Sequence, residues 1–147
     1  MKRMRVLLCA VLLMTVSVAC GGGPASYRDG TYTARSSVYE NDDGTDDGNG
    51  YGEVTITIVG GKITACTFET FEPDGTRKDE DYGKVNGEIA NQDFFNKAQK
   101  ATSACEEYAR MLLESGTLNG VDTISGATIN YNAFLEATEE ALRQAAQ

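Results

Sequence analysis

Near its C-terminus the chain reads "VDTISGATINYNAFLEATEEALRQAAQ". The first eight of these residues put a carboxylate (Asp122), two hydroxyls (Ser125 and Thr128) and two minimal side chains (Gly126 and Ala127) directly before a helical pattern. A helix N-terminus presents free backbone N–H groups and the positive end of the helix dipole, which together favour an anion. Gly126 permits a positive φ and lets a ligand approach the backbone, while Ala127 keeps the surroundings small. These are the parts of a phosphate site with a hydroxyl beside it. The same residues also suit a glycine turn in which Thr128 or Asn130 is the helix N-cap. Residue chemistry alone leaves both readings standing.

The rest of the chain narrows the chemistry. Its 147 residues suffice for one domain with one core. It has no histidine, so Ser-His and Cys-His catalysis and histidine-ligated metals are excluded. The net charge of −9 argues against nucleic acid, whose affinity comes from Lys and Arg on phosphates. No catalytic acid or base and no metal site can be identified. The loop "ENDDGTDDGNGYGE" matches a calcium loop only in fragments: counted from Asp43, Asp47 and Gly48 fall in register but Thr45 and Val54 do not. It reads as a solvated loop.

The N-terminus is a targeting segment rather than part of the fold. Lys2, Arg3 and Arg5 precede an apolar run over residues 6–18, then Ala19 and Cys20. The run is too short to span a bilayer and has the order of a secretory signal. A cysteine after a small residue, followed by "GGG", resembles a bacterial lipoprotein signal, although Ser17 stands where that family usually has leucine. The resemblance implies a signal peptide over 1–19, lipidation of Cys20 and a flexible tether over 20–27, leaving one domain over 28–147. Removal of 1–19 takes away three basic residues and deepens the charge to −12, ten basic against 22 acidic. The lipid would hold the protein on the extracytoplasmic side of the cell membrane. Of the four cysteines, Cys66 and Cys105 then remain in the domain. Outside the cytoplasm they are a possible disulfide; they also suit two buried small hydrophobes.

Strand patterns come first and helical patterns later. "YRDGTYTARSSVY" alternates with Tyr32 and Ala34 on one face. Val54, Ile56 and Ile58 alternate with threonines, Gly60 and Gly61 supply a turn, and residues 63–71 return as the second arm of a hairpin. A helix is predicted from Asn91, with Phe94, Ala98, Ala101, Cys105, Tyr108 and Leu112 on one face and Gly116 as its stop. A last helix begins at about Asn130, with Phe134, Ala137, Ala141, Leu142 and Ala145 on one side. This order gives an α+β fold, a small antiparallel sheet packed against helices.

The stretch from Asp122 to Thr128 resembles the flavinylation motif D-x-x-[ST]-G-A-[ST] of FMN-binding domains. The resemblance extends to "DGTYTA" at 29–34, "GYGEVTITIVGGKI" at 50–63 and "DGTRKDEDYGK" at 74–84, and covers roughly residues 28–145. Such domains occur in the sodium-pumping NADH:quinone oxidoreductase and in extracytoplasmic electron-transfer lipoproteins. The resemblance implies that a flavin transferase, using FAD and a divalent cation, attaches FMN through a phosphoester to Thr128. Asp122, Ser125, Gly126 and Ala127 would complete the recognition site. Asn130 and Tyr131 depart from the usual Thr-Ser. Tyr82, Tyr51 and Phe71 are candidates to lie against the flavin ring, and Lys78 and Asp81 to meet its polar edge.

The expected activity is that of a redox carrier between a membrane electron donor and an external acceptor, rather than a stand-alone enzyme. One alternative is a small flavin-dependent reductase acting on an organic substrate. Another is a binding lipoprotein whose motif stays unmodified.

Overall fold

The computed structural model describes residues 27–45 and 48–146. The signal, Cys20 and nearly all of the tether lie outside these residues. Three strands, β1 (Gly30–Arg35), β2 (Tyr51–Val59) and β3 (Lys62–Phe71), form an antiparallel meander in the order β1-β2-β3. Two helices follow, α1 (Gln92–Ser115) and α2 (Thr128–Ala145), separated by a single 3₁₀ turn at Leu118–Gly120. The fold is α+β in one domain, as the order of patterns requires.

The hairpin follows from period-two patterning. Val54, Ile56 and Ile58 are completely buried, and their burial is worth roughly 1.5–3 kcal/mol each. The opposite face is a row of threonines, in which Thr31 meets Thr57 at 3.1 Å and Thr33 meets Thr55 at 2.8 Å. Gly60 and Gly61 both take positive φ, 60° and 73°, as the tight turn between right-twisted strands demands. Asp29 accepts a hydrogen bond from the Gly61 N–H at 3.2 Å, so the "DG" before β1 braces the hairpin turn.

Both helices cover the same sheet face, α1 over β3 and α2 over β2 and β1. Tyr108, Leu112, Phe134, Ala137 and Ala141 are completely buried between them and the sheet. Phe134 meets Phe68 edge-on at 5.0 Å and stacks on Tyr108 at 5.8 Å. Alanines along α2 let the helix lie close to the strands. At roughly 36 Å (24 residues at 1.5 Å each), α1 reaches well past this core. Its C-terminal half packs the core, and its N-terminal half extends beyond it.

The sulfurs do not meet. Both Cys66 and Cys105 are free thiols, which corrects the disulfide expectation and fits the alternative of two packed thiols. Cys105 lies beside Thr70, its Sγ 3.9 Å from the Thr70 hydroxyl. Thr70 is four residues along β3 from Cys66, about 13 Å at strand rise, too far for a disulfide. Burial pushes the Cys66 thiol up to about 12 and the Cys105 thiol to about 11.

Among the described residues no helix is long and apolar enough to cross a membrane. In the acidic loop Asp43 turns back on itself, accepting from the N–H and hydroxyl of Thr45.

Candidate functional site

The chain between the helices is held from beneath by two tyrosines. The Tyr108 hydroxyl donates to the Ala127 carbonyl at 3.1 Å and accepts from the Ile124 N–H at 3.2 Å. Tyr131 donates to the Val121 carbonyl at 3.2 Å. Gly126 turns the chain at φ 83°, a conformation that side chains rarely adopt. Ala127 is buried in the core, which explains why this position is small.

Helix α2 therefore starts two residues earlier than its pattern suggested, with Thr128 as its first residue. Neither Thr128 nor Asn130 is the N-cap; Ala127 holds that position and has no side chain with which to cap. Asn130 faces inward instead, donating to the Ala101 carbonyl at 2.7 Å and to Cys105 Sγ at 3.5 Å, and so ties α2 to α1. The first bond of the helix runs from the Tyr131 N–H to the Ala127 carbonyl. The amides of residues 128–130 thus have no partner within the helix.

These open amides face a cavity of about 310 Å³, near the lower end of the roughly 300–1,000 Å³ usual for small-molecule sites. One wall is the start of α2, with Gly126, Ala127 and Thr128. The opposite wall is the overhanging N-terminal half of α1, through Phe94, Ala98 and Ala101. The third comes from the loop after β3, through Lys78 and Tyr82. Gln99 of α1 holds this loop by donating to the Asp79 and Tyr82 carbonyls at 3.1 and 2.9 Å.

The cavity is basic although the chain is acidic. Lys78 and Lys97 line it, and among the described residues no carboxylate does. The Lys100 ammonium lies over Gly126, 3.5 Å from where a β-carbon there would stand. Lys78 is almost fully buried and bonded to the carbonyls of Gly48 and Asn49. Burial lowers its pKa from the ordinary lysine value, against the pull of Glu72.

Of the expected site residues, Thr128, Gly126 and Ala127 line the cavity, and so do Lys78 and Tyr82. Asp122 and Ser125 are exposed on the loop outside it. Tyr51 and Phe71 stack on each other at 5.3 Å, with Arg35 over Tyr51, away from the cavity. Asp81 pairs with Lys84 at 2.6 Å. The contribution of α1 was missed, because Phe94, Ala98 and Ala101 read as core. The available signal was the two alanines one turn apart, which leave a gap on an otherwise packed face.

The model of the FMN-binding domain family matches residues 48–143, from the loop before β2 to the last turn of α2. The chain belongs to the FMN-binding domain family. It is a flavin-binding protein, with FMN as the cofactor. No curated protein matches the chain. Among solved structures, a crystal structure of a protein from Clostridium perfringens is similar at 23% identity and a TM-score of 0.58, over 81% of this chain and 88% of that one. That likeness shows the fold. A solution structure of a protein from Clostridium thermocellum also matches at 23% identity and a TM-score of 0.42, over 82% of this chain and 93% of that one.

The residues present fit FMN. Open amides and the Lys97 and Lys100 ammoniums suit a phosphate, and the largely apolar cavity with Tyr82 and Phe94 suits a ring.

Proposed function

We propose that this protein is a lipid-anchored, extracytoplasmic electron carrier whose FMN is joined through its phosphate to Oγ1 of Thr128. One observation carries the reading: the exposed Thr128 hydroxyl stands at the cavity mouth, on an uncapped helix N-terminus. A phosphodiester formed there would place its negative charge against the open amides of residues 128–130, where the helix dipole stabilises it.

Maturation by a flavin transferase would form the Oγ1–P bond at Thr128 and break the diphosphate bond of FAD. AMP leaves, and the hydroxyl proton passes to solvent. Asp122 and Ser125, exposed beside Thr128, are open to such an enzyme. Bound FMN supplies the electron chemistry. The chain's own work is to fix the attachment point through Tyr108 and Tyr131, to shield the ring with α1 and the 72–90 loop, and to surround it with lysines. A covalent link also prevents loss of the cofactor outside the cell.

The size of the cavity favours a carrier over a reductase, since about 310 Å³ leaves little room for an organic substrate above the ring. The lipidated Cys20 would keep the domain at the membrane, between a membrane donor and an external acceptor.

The test is to co-express the chain with a flavin transferase in exported form and to measure intact mass beside a Thr128→Ala control. A gain equal to FMN minus water, absent from the control, is expected. No gain, with the transferase active on another substrate, would remove the covalent reading and leave a flavin-binding lipoprotein with an unmodified motif.

A further inference from the structure

We propose that Lys78 raises the reduction potential of the flavin by holding a fixed positive charge in the cavity wall. The inference rests on the FMN reading above and names the residue that tunes it. Lysines ordinarily run their stems along the surface and leave the ammonium in water. Lys78 does the opposite: it is only 6% exposed, yet its side chain lines the cavity. Its backbone N–H donates to the Thr70 carbonyl at 2.8 Å, so the residue sits beside the end of β3, next to the antiparallel bridge between Phe71 and Arg77.

Among the described residues the ammonium is hydrogen-bonded by neutral groups and paired with no carboxylate. It donates to the carbonyls of Gly48 at 3.1 Å and Asn49 at 2.6 Å, and sits 4.9 Å from the centre of the Tyr82 ring. These contacts use two of its three protons and supply dipoles, but no full negative charge. Among the described residues no carboxylate lies within ion-pair distance of it. The titratable groups that bear on it are Glu72, the neutral Cys105 thiol and Lys97 in the same wall. A charge in this setting acts over several ångströms, because little water intervenes to screen it.

The consequence is a bias between redox states. Two electrons from a low-potential donor and one proton from solvent leave the reduced ring with one negative charge. A cation in the wall favours that state over the neutral oxidised one. Lys97 is exposed and screened, so Lys78 carries the larger share of the effect.

The experiment uses the whole chain, flavinylated by co-expression, with Lys78→Met and Lys78→Arg beside it. Intact mass is read first, then the potential by dithionite titration in a spectroelectrochemical cell. The Met variant should carry FMN and lose at least tenfold in its reduction equilibrium constant, about 30 mV for a two-electron couple. The Arg variant should keep the unmodified potential. A Met variant with covalent FMN and an unchanged potential would overturn the proposal, as would an Arg variant displaced as far as Met. Absence of FMN from the unmodified chain overturns the parent reading instead, together with this inference, and is visible in the mass alone. If the Met variant fails to fold, the unmodified protein still decides by reciprocity. With lysine labelled for NMR, the Lys78 pKa should rise by at least one unit on flavin reduction. An identical titration in both redox states overturns the proposal.

Discussion

The two long helices begin in opposite ways. At the start of α1, Asn91 takes an extended conformation and its side chain accepts the Phe94 N–H at 3.1 Å, with Asp93 in the first turn to meet the dipole. At the start of α2, Ala127 offers no capping atom, the first turn has no acid, and Lys97 and Lys100 stand by the same cavity. The first helix satisfies its own terminus. The second leaves amides and dipole unmatched, forgoing stabilisation of roughly 1 kcal/mol from a cap and a few tenths more from an acid. In a chain with 22 acidic residues, an acid-free start beside a cavity suits the phosphate attachment proposed above.

The contrast can be broken most strongly from below α2. Cys105 touches Asn130 in its first turn, and burial holds the thiol up to about 11 where an unfolded thiol ionises near 9. The folded chain therefore keeps a proton that the unfolded chain releases. Stability should be complete below about pH 9 and fall toward pH 11, by roughly 3 kcal/mol over two units for this one thiol. Urea melts across that range, compared with a Cys105→Ala variant, isolate the contribution; equal slopes in the two proteins would contradict it.

Next in size is Tyr108→Phe. The ring packing survives, but the Ile124 N–H and Ala127 carbonyl lose their shared partner, at a cost of about 1–3 kcal/mol. Flavinylation should slow as well, because this hydroxyl holds the loop that presents Thr128. Initial rates of mass gain at a fixed transferase concentration would show it.

Asn91→Ala sharpens the contrast from the other side. Loss of the α1 cap should cost about 1 kcal/mol in denaturant melts and leave the flavinylation rate unchanged. If both cap-region variants slowed flavinylation equally, the distinction between a self-satisfied helix start and a reserved one would fail. The smallest effect is a gain. Thr138, deep in α2, has a buried hydroxyl with no hydrogen-bond partner among the described residues, so Thr138→Val should stabilise by up to about 1 kcal/mol, read as a shift in denaturation midpoint.

The same contrast explains what could be read in advance. The start and stop of α1 were legible at Asn91 and Gly116 because the chain writes a self-satisfied terminus in its own residues. The hairpin was legible because period two and a Gly-Gly turn admit one arrangement. The start of α2 was not, since a helix without a capping residue gives no local mark, and Asn130 imitated one while serving as a bridge to α1. Side-chain placement in the 72–90 loop was legible only in part. Without periodicity, nothing local separates buried Lys78 from exposed Asp81, whereas Tyr51 and Phe71 lie on strands in the phase of the outward threonines. The motif pointed to the end of the molecule where the cavity lies. The opposing wall came from α1, where small residues look the same in a core and in a cavity.

The central claim is that Thr128, and no other hydroxyl of the loop, carries the cofactor. Tandem mass spectrometry of the proteolysed, flavinylated protein tests it directly. FMN on the peptide containing residues 121–131, with fragment ions placing it on Thr128, is the predicted result. FMN located on Ser125 or Thr123, or released intact when the protein is unfolded, would contradict the account.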